Sequence, residues 1–183
     1  MEDHSRRYAR PEHERRFLLA DIPRSASEPR AIRDRFIRGT RLRLRVVTDR
    51  ATGEVLHRKA GHKVRFDESD PTSLLHTSLY LNSDELDVLG KLDADEVTKT
   101  RYRWILEGLP AAVDVYDGAL AGLVIAELGF NGHDELRRFT PRSPLGLEIT
   151  RLAELTGPNL ASLDPGRLAQ LIGRAPSPSV TDA

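Results

Sequence analysis

Residues 40–48 read Thr-Arg-Leu-Arg-Leu-Arg-Val-Val-Thr, a strict alternation of cationic and apolar side chains. In a β-strand successive side chains point to opposite faces. Arg41, Arg43 and Arg45 therefore share one face, and Leu42 and Leu44 the other. The same period runs through 97–106, Val-Thr-Lys-Thr-Arg-Tyr-Arg-Trp-Ile-Leu, where Lys99, Arg101 and Arg103 oppose Tyr102 and Trp104. At 12–19, Glu-His-Glu-Arg-Arg-Phe-Leu-Leu sets Glu12, Glu14 and Arg16 on one side. Taken singly, each charged row reads as the solvated side of a half-buried sheet. Three such rows in one chain fit that reading poorly, because arginines at i, i+2 and i+4 repel one another unless an anion joins them. The alternative is a barrel turned inside out, with a charged bore and an apolar exterior covered by helices. Arginine forks on its wall would hold a polyanion, and Glu12 and Glu14 a divalent cation sharing that anion.

Composition narrows the classes. The 183 residues carry 28 basic and 28 acidic side chains, so the basic excess of a general nucleic-acid binder is missing. Only Lys59, Lys63, Lys91 and Lys99 are lysine; every other basic residue is arginine. The chain has no cysteine, which excludes disulfides, thiolate zinc sites and a cysteine nucleophile. No apolar run nears 18 residues and the first 16 are polar, so a cytoplasmic protein without membrane contact is expected. The length suits a single domain, placed at 11–172 between a loose N-terminus, 1–10, and a Pro-rich tail, 173–183, expected to be disordered.

The pattern predicts a mainly β architecture with a few helices. Strands are expected at 12–19, 40–48, 97–106, 112–116 and 123–130, with weaker ones at 31–37, 54–60, 74–81 and 145–150. Asn82 and the acidic residues after it predict a capped helix with Leu86 and Leu89 as its buried stripe and Gly90 as its stop. Further helices are expected at 133–139 and 158–172. So many strands with so few helices suggest a closed or nearly closed antiparallel barrel.

These segments, in order, resemble the CYTH proteins, or triphosphate tunnel metalloenzymes. Glu12-His13-Glu14-Arg15-Arg16 is similar to the family's N-terminal Glu-x-Glu-x-Lys signature. The segments 32–37 and 39–45 resemble its second and third strands, Arg58-Lys59 its lysine strand, and 98–103 its Lys-x-Arg-Tyr strand. The stretch 113–128, Val-Asp-Val-Tyr-Asp-Gly-Ala-Leu-Ala-Gly-Leu-Val-Ile-Ala-Glu-Leu, is the most specific piece. Residues 147–150 resemble the segment leading into the C-terminal helix. The resemblance is collinear over roughly 10–170.

The resemblance implies an eight-stranded antiparallel tunnel barrel that binds a triphosphate on basic walls with Mg²⁺ or Mn²⁺ on acidic ones. It makes Glu12, Glu14, Glu127 and Asp114 the metal-side carboxylates. It makes Arg41, Arg43, Arg45, Lys99, Arg101 and Arg103 phosphate contacts, and Lys59, of the lysine strand, and Arg16, in the place of the signature lysine, the catalytic residues. The expected activity is metal-dependent hydrolysis of inorganic tripolyphosphate or an organic triphosphate. A non-catalytic triphosphate- or nucleotide-binding module and a class IV type adenylate cyclase are the other readings, and a homodimer is one open assembly. Three positions depart from the family pattern. Gly129 stands where a second glutamate would follow Glu127, Arg16 replaces a lysine without its capacity to exchange a proton, and Leu147 replaces another lysine. His13 is expected on the outer face, and His57, His62 and His76 receive no role. Residues 67–70 read as a solvated loop, and Trp104 and Tyr102 as packing between barrel and helices.

Overall fold

The structure, a computed structural model, describes residues 7–65, 67 and 69–173. Most of the expected loose N-terminus and all but the first residue of the expected disordered tail lie outside the described residues. Eight strands run β1 Arg10–Leu18, β2 Ser27–Ile37, β3 Leu42–Asp49, β4 Val55–Arg65, β5 Ser73–Tyr80, β6 Ala94–Leu106, β7 Leu109–Tyr116 and β8 Val124–Phe130. They close in the order β1-β5-β4-β3-β2-β6-β7-β8, every pair antiparallel. Closure leaves no free edge. Tight local turns join neighbours. Between β6 and β7, Glu107 and Gly108 both have positive φ (51° and 86°), the backbone that a two-residue hairpin needs to match strand twist. Between β3 and β4, Asp49 Oδ1 accepts hydrogen bonds from the amides of Ala51 and Thr52 at 2.9 and 3.0 Å.

Alternation divides the core in two. On the outer face of β1, β6, β7 and β8, Phe17, Trp104, Val113, Ala126 and Leu128 form an apolar layer, capped by Leu136 of α2 (His133–Arg138). Trp104 donates its indole N–H to Ser25 Oγ at 3.1 Å. Full burial of side chains such as Phe17 and Leu128 is worth about 1.5–3 kcal/mol each. The second cluster joins Val97, Tyr116 and Ile125 of β6, β7 and β8 to Ile149, Leu155, Leu160 and Leu168 from the C-terminal segment. Val97 and Ile125 share faces with Lys99 and Glu127, so this cluster plugs one end of the bore.

Three expected elements differ. Residues 145–150 form no strand, only a bridge of Phe17 to Glu148. The reason lies in β1: β5 pairs with Arg10 to His13 only, and the rest of that edge is satisfied by Leu18 N–H to Leu147 O at 2.9 Å and Ile149 N–H to Arg16 O at 2.8 Å. The expected helix 158–172 is two, α3 Gly157–Ala161 and α4 Pro165–Gly173, because Pro165 has no N–H to continue a helix and disfavours helical backbone before it. The helix α1, Ser83–Leu89, starts on the expected cap, with Glu85 N–H donating to Asn82 Oδ1 at 2.9 Å and Asn82 N–H to Glu85 Oε2 at 2.8 Å. It buries no residue fully; Leu86 and Leu89 are only half-buried against the barrel exterior.

Candidate functional site

Inside the barrel lies a cavity of about 650 Å³, and its walls are ionic. Two clusters face each other across it, one basic with buried counter-ions and one acidic with a lysine in its midst.

The basic wall is built by β2, β3, β6 and β7. Strand pairing sets Asp34 opposite Arg45 and Arg101 opposite Asp114. Arg45 Nε and Nη2 donate to the two oxygens of Asp34 at 2.6 Å each. Arg101 Nε and Nη2 donate to Asp114 at 2.7 and 2.8 Å, and Lys99 Nζ to the same carboxylate at 2.6 Å. Asp34 and Asp114 are 2% and 3% exposed, and burial alone would raise both. The Arg45 fork instead holds Asp34 down at about 2, and Arg101 and Lys99 hold Asp114 well below the usual carboxylate range. Both are pinned anions that fix cations from behind.

Arg43 differs from its neighbours. Its nearest carboxylate is Asp34 at 3.7 Å, and its Nε is the buried side-chain polar atom left without a hydrogen-bond partner among the described residues. Burial, with Arg45 beside it, lowers its pKa to about 10. This guanidinium is therefore short of negative charge, and a buried donor left unpaired costs about 1–3 kcal/mol.

The acidic wall comes from β1 and β8. Glu12, Glu14, Arg16 and Glu127 all line the cavity, and Lys63 of β4 reaches in, its Nζ 3.1 Å from Glu12 and 3.6 Å from Glu14. His76 of β5 holds Glu12 from the other side, Nδ1 to Oε1 at 2.7 Å. Burial would raise Glu12, but His76 and Lys63 hold it at about 2. Glu14 is raised, by burial and by the charge of Glu127. Burial acts on Glu127 too, yet Arg101 and Lys63 keep it below its ordinary value. Lys63 is raised despite burial, by Glu14, Glu127 and Glu12.

The cavity thus gathers Glu12, Glu14, Arg16, Arg43, Arg45, Lys99, Arg101, Asp114 and Glu127 from the residues expected there. Asp114 stands as counter-ion to Lys99 and Arg101 rather than beside the glutamates. Arg16 is tied by Nη1 to Leu155 O at 2.7 Å. Three expected residues do not line the cavity. Arg41 precedes β3 and is exposed. Arg103, paired in β6 with Ser27 and Ala112, has its side chain two-thirds exposed and 3.4 Å from Glu28. Lys59 sits near the middle of β4, paired with Arg45 and Tyr80, with its Nζ 5.0 Å from the Tyr80 ring centroid. The lysine that reaches the carboxylates is Lys63, four residues on and on the same strand face. Lys63, Asp34 and His76 went unread in the sequence. Position 63 alternates with 59 and 61, so the period admitted either lysine, while β5 carries no charged row to flag His76.

Gly129 pairs opposite Glu14 on the cavity wall, so the departure from the family pattern falls within the acidic cluster. A Cβ there would meet only Pro110 O, at 3.9 Å. Among the described residues no three His, Asp or Glu side chains are grouped to hold a metal ion. The chemistry of the donors still suits a hard divalent cation, since Glu12, Glu14 and Glu127 offer only oxygens.

No family model matches the chain and no curated protein matches it. Solved structures do. A structure described as the inorganic triphosphatase NE1496 superposes with a TM-score of 0.59 at 22% identity, over 85% of this chain and 97% of that one. Another of NE1496, described as a hypothetical protein, gives 0.58 at 23% identity over 84% and 99%. The chain shares the closed, eight-stranded antiparallel barrel fold of NE1496. That likeness extends over nearly the whole of the NE1496 chain, and it concerns the fold, the identity being low. In the tunnel barrel of this chain, as among all its described residues, no helix is long and apolar enough to cross a membrane.

Proposed function

We propose that this protein is a metal-dependent triphosphatase that hydrolyses inorganic tripolyphosphate or an organic triphosphate inside the tunnel. One observation carries the reading: Arg43 is a half-buried arginine whose buried Nε lacks a hydrogen-bond partner, in a cavity shared with Arg45, Lys99 and Arg101. A chain of phosphate oxygens supplies what that wall lacks. The fold of the inorganic triphosphatase NE1496 supports the same class.

Phosphoryl transfer needs positioning and charge neutralisation more than covalent help. Arg43 gives the phosphate chain its first paired donor. Arg45 and Arg101 present forks whose orientation Asp34 and Asp114 already fix, so little side-chain entropy is lost on binding. Glu12, Glu14 and Glu127 would hold Mg²⁺ or Mn²⁺, which when bound neutralises phosphoryl oxygens and makes water more acidic. Lys63, whose Nζ lies 3.1 Å from Glu12 and 3.6 Å from Glu14, adds a cation to the same cavity. Lys99 donates to Asp114 at 2.6 Å, and burial, with Arg101 and Arg45 nearby, lowers its pKa from the usual lysine value.

A second reading, a triphosphate-binding module without turnover, is favoured by Gly129 opposite Glu14 and by the lack of a three-ligand group among the described residues. Purified protein given tripolyphosphate is expected to release orthophosphate with Mg²⁺ or Mn²⁺ and none with EDTA. Tight binding without product at either metal would replace the enzyme by the binding module, and cyclic AMP from ATP would point to the cyclase.

A further inference from the structure

The cluster that plugs one end of the bore contains a single side chain with a polar atom to place, Tyr116. Strand pairing sets Tyr116 opposite Lys99, so its ring points inward with the charged row, and its centroid is 5.2 Å from Lys99 Nζ. The side chain is buried, yet it also lines the ionic cavity. Its hydroxyl has no hydrogen-bond partner among the described residues. The side-chain polar atom that is both sealed and unpartnered is Arg43 Nε, so the Tyr116 hydroxyl is not sealed. It opens onto the cavity that the residue lines, and forms part of the tunnel floor with Arg16, Thr150 and Thr156.

The other donors of that floor are engaged. Lys99 Nζ donates to Asp114 at 2.6 Å and Arg16 Nη1 to Leu155 O at 2.7 Å. Thr150 Oγ1 donates to Glu148 and Thr156 Oγ1 to Ala153 O, each at 2.8 Å. The phenol also keeps its proton, because burial, with Asp114 beside it, raises its pKa far above the usual tyrosine value. Phenylalanine would pack the plug as well without bringing a polar atom to an apolar end. What the oxygen adds is a neutral donor, which pairs with an anion without adding charge to a wall that Asp114 already balances.

We propose that Tyr116 is a substrate-binding residue whose hydroxyl donates a hydrogen bond to a non-bridging oxygen of the innermost phosphoryl group, at the tunnel floor. The inference rests on the triphosphatase reading and adds to it the contact that seats the phosphate chain at its deepest point. Ring and hydroxyl thereby divide the work: the ring closes the bore and the oxygen meets the substrate.

Tripolyphosphate with Mg²⁺ or Mn²⁺ is the probe, and Tyr116→Phe removes the oxygen alone. The variant is expected to lose about tenfold or more in kcat/KM, the worth of one hydrogen bond to a charged acceptor, and to melt at an unchanged or higher Tm. Tyr102→Phe makes the same change on the outer face of β6, where Tyr102 packs against the other apolar cluster, and is expected to stay within about twofold. A smaller loss in Tyr116→Phe, or an equal loss in Tyr102→Phe, would overturn the assignment while leaving the triphosphatase standing. So would a lowered Tm or failure to fold in Tyr116→Phe, since the hydroxyl would then have a partner within the protein. If the wild-type protein hydrolyses no tripolyphosphate, the triphosphatase reading fails by itself and titration calorimetry with the same compound decides Tyr116. Binding about tenfold weaker in Tyr116→Phe supports the contact, and equal binding, or none by the wild type, overturns it.

Discussion

Arg43 and Arg45 occupy one face of one strand two residues apart, yet they do opposite work. Arg45 closes a bidentate pair with the buried Asp34, and Arg43 has its Nε unpaired. Replacing either with methionine keeps much of the volume and removes the charge. Arg45→Met strands a carboxylate that is 2% exposed, so denaturant unfolding is expected to show a loss of about 3–5 kcal/mol. Arg43→Met removes an unpaired buried donor, and the same measurement is expected to show unchanged or higher stability. Tripolyphosphate affinity in that variant should fall about 10- to 100-fold, the worth of one charge-assisted contact. A stable Arg45→Met, or undiminished tripolyphosphate binding by Arg43→Met, would mean the two roles are assigned wrongly. Position 129 belongs to the same scale. The wall has room for a side chain beside Glu14, so the missing carboxylate is a matter of chemistry and not of crowding.

At the scale of elements, the closed end of the bore depends on one close approach. The helix α3 begins at Gly157, and a Cβ there would stand 2.7 Å from Cζ of Phe36 on β2. Glycine lets α3 lie against the ring, which brings Leu160 into the plug with Ile149 and Leu155. Overpacking of this sort costs about 1–3 kcal/mol. Gly157→Ala is therefore expected to lower Tm by about 2–4 °C for each kcal/mol lost, and Phe36→Leu added to it should recover most of the fall. Non-additivity of that pair in thermal melts checks the contact, and simple additivity would refute it. The segment 147–149 does comparable work on β1, completing the edge that β5 leaves unpaired.

For the whole molecule, stability against acid follows from the same buried pairs. Asp34 and Asp114 have folded pKa values below their unfolded ones. Their contribution is therefore full above the unfolded carboxylate value near 4 and is lost as pH falls toward about 2. Glu14 runs the other way: its raised pKa means its contribution is present at low pH and lost as pH rises through the folded value. The barrel should consequently hold its fold through mild acid and unfold cooperatively between about pH 4 and pH 2, followed by far-UV circular dichroism. Asp34→Asn should flatten that limb, and an unaltered acid transition in the variant would count against the pinned-anion account.

Period-two alternation determined most of the barrel by itself. Residues 40–48, 97–106 and 123–130 admit few structures other than strands, and three charged rows at that period imply a polar bore under an apolar coat. The row residues Arg43, Arg45, Lys99, Arg101, Glu12 and Glu14 were legible for the same reason, since parity within a strand survives any register, whereas Glu127 came from the family resemblance. Register does not follow from parity. Which lysine of β4 meets the glutamates depends on how far the strands shear past one another on closure, and that moved the contact from Lys59 to Lys63. The same shear left Arg41 and Arg103 beyond the ionic cavity and brought His76 against Glu12. Only the closed tertiary structure decides whether a buried cation is paired, because pairing is fixed by distances across strands far apart in the chain, and that is what separates Arg43 from Arg45.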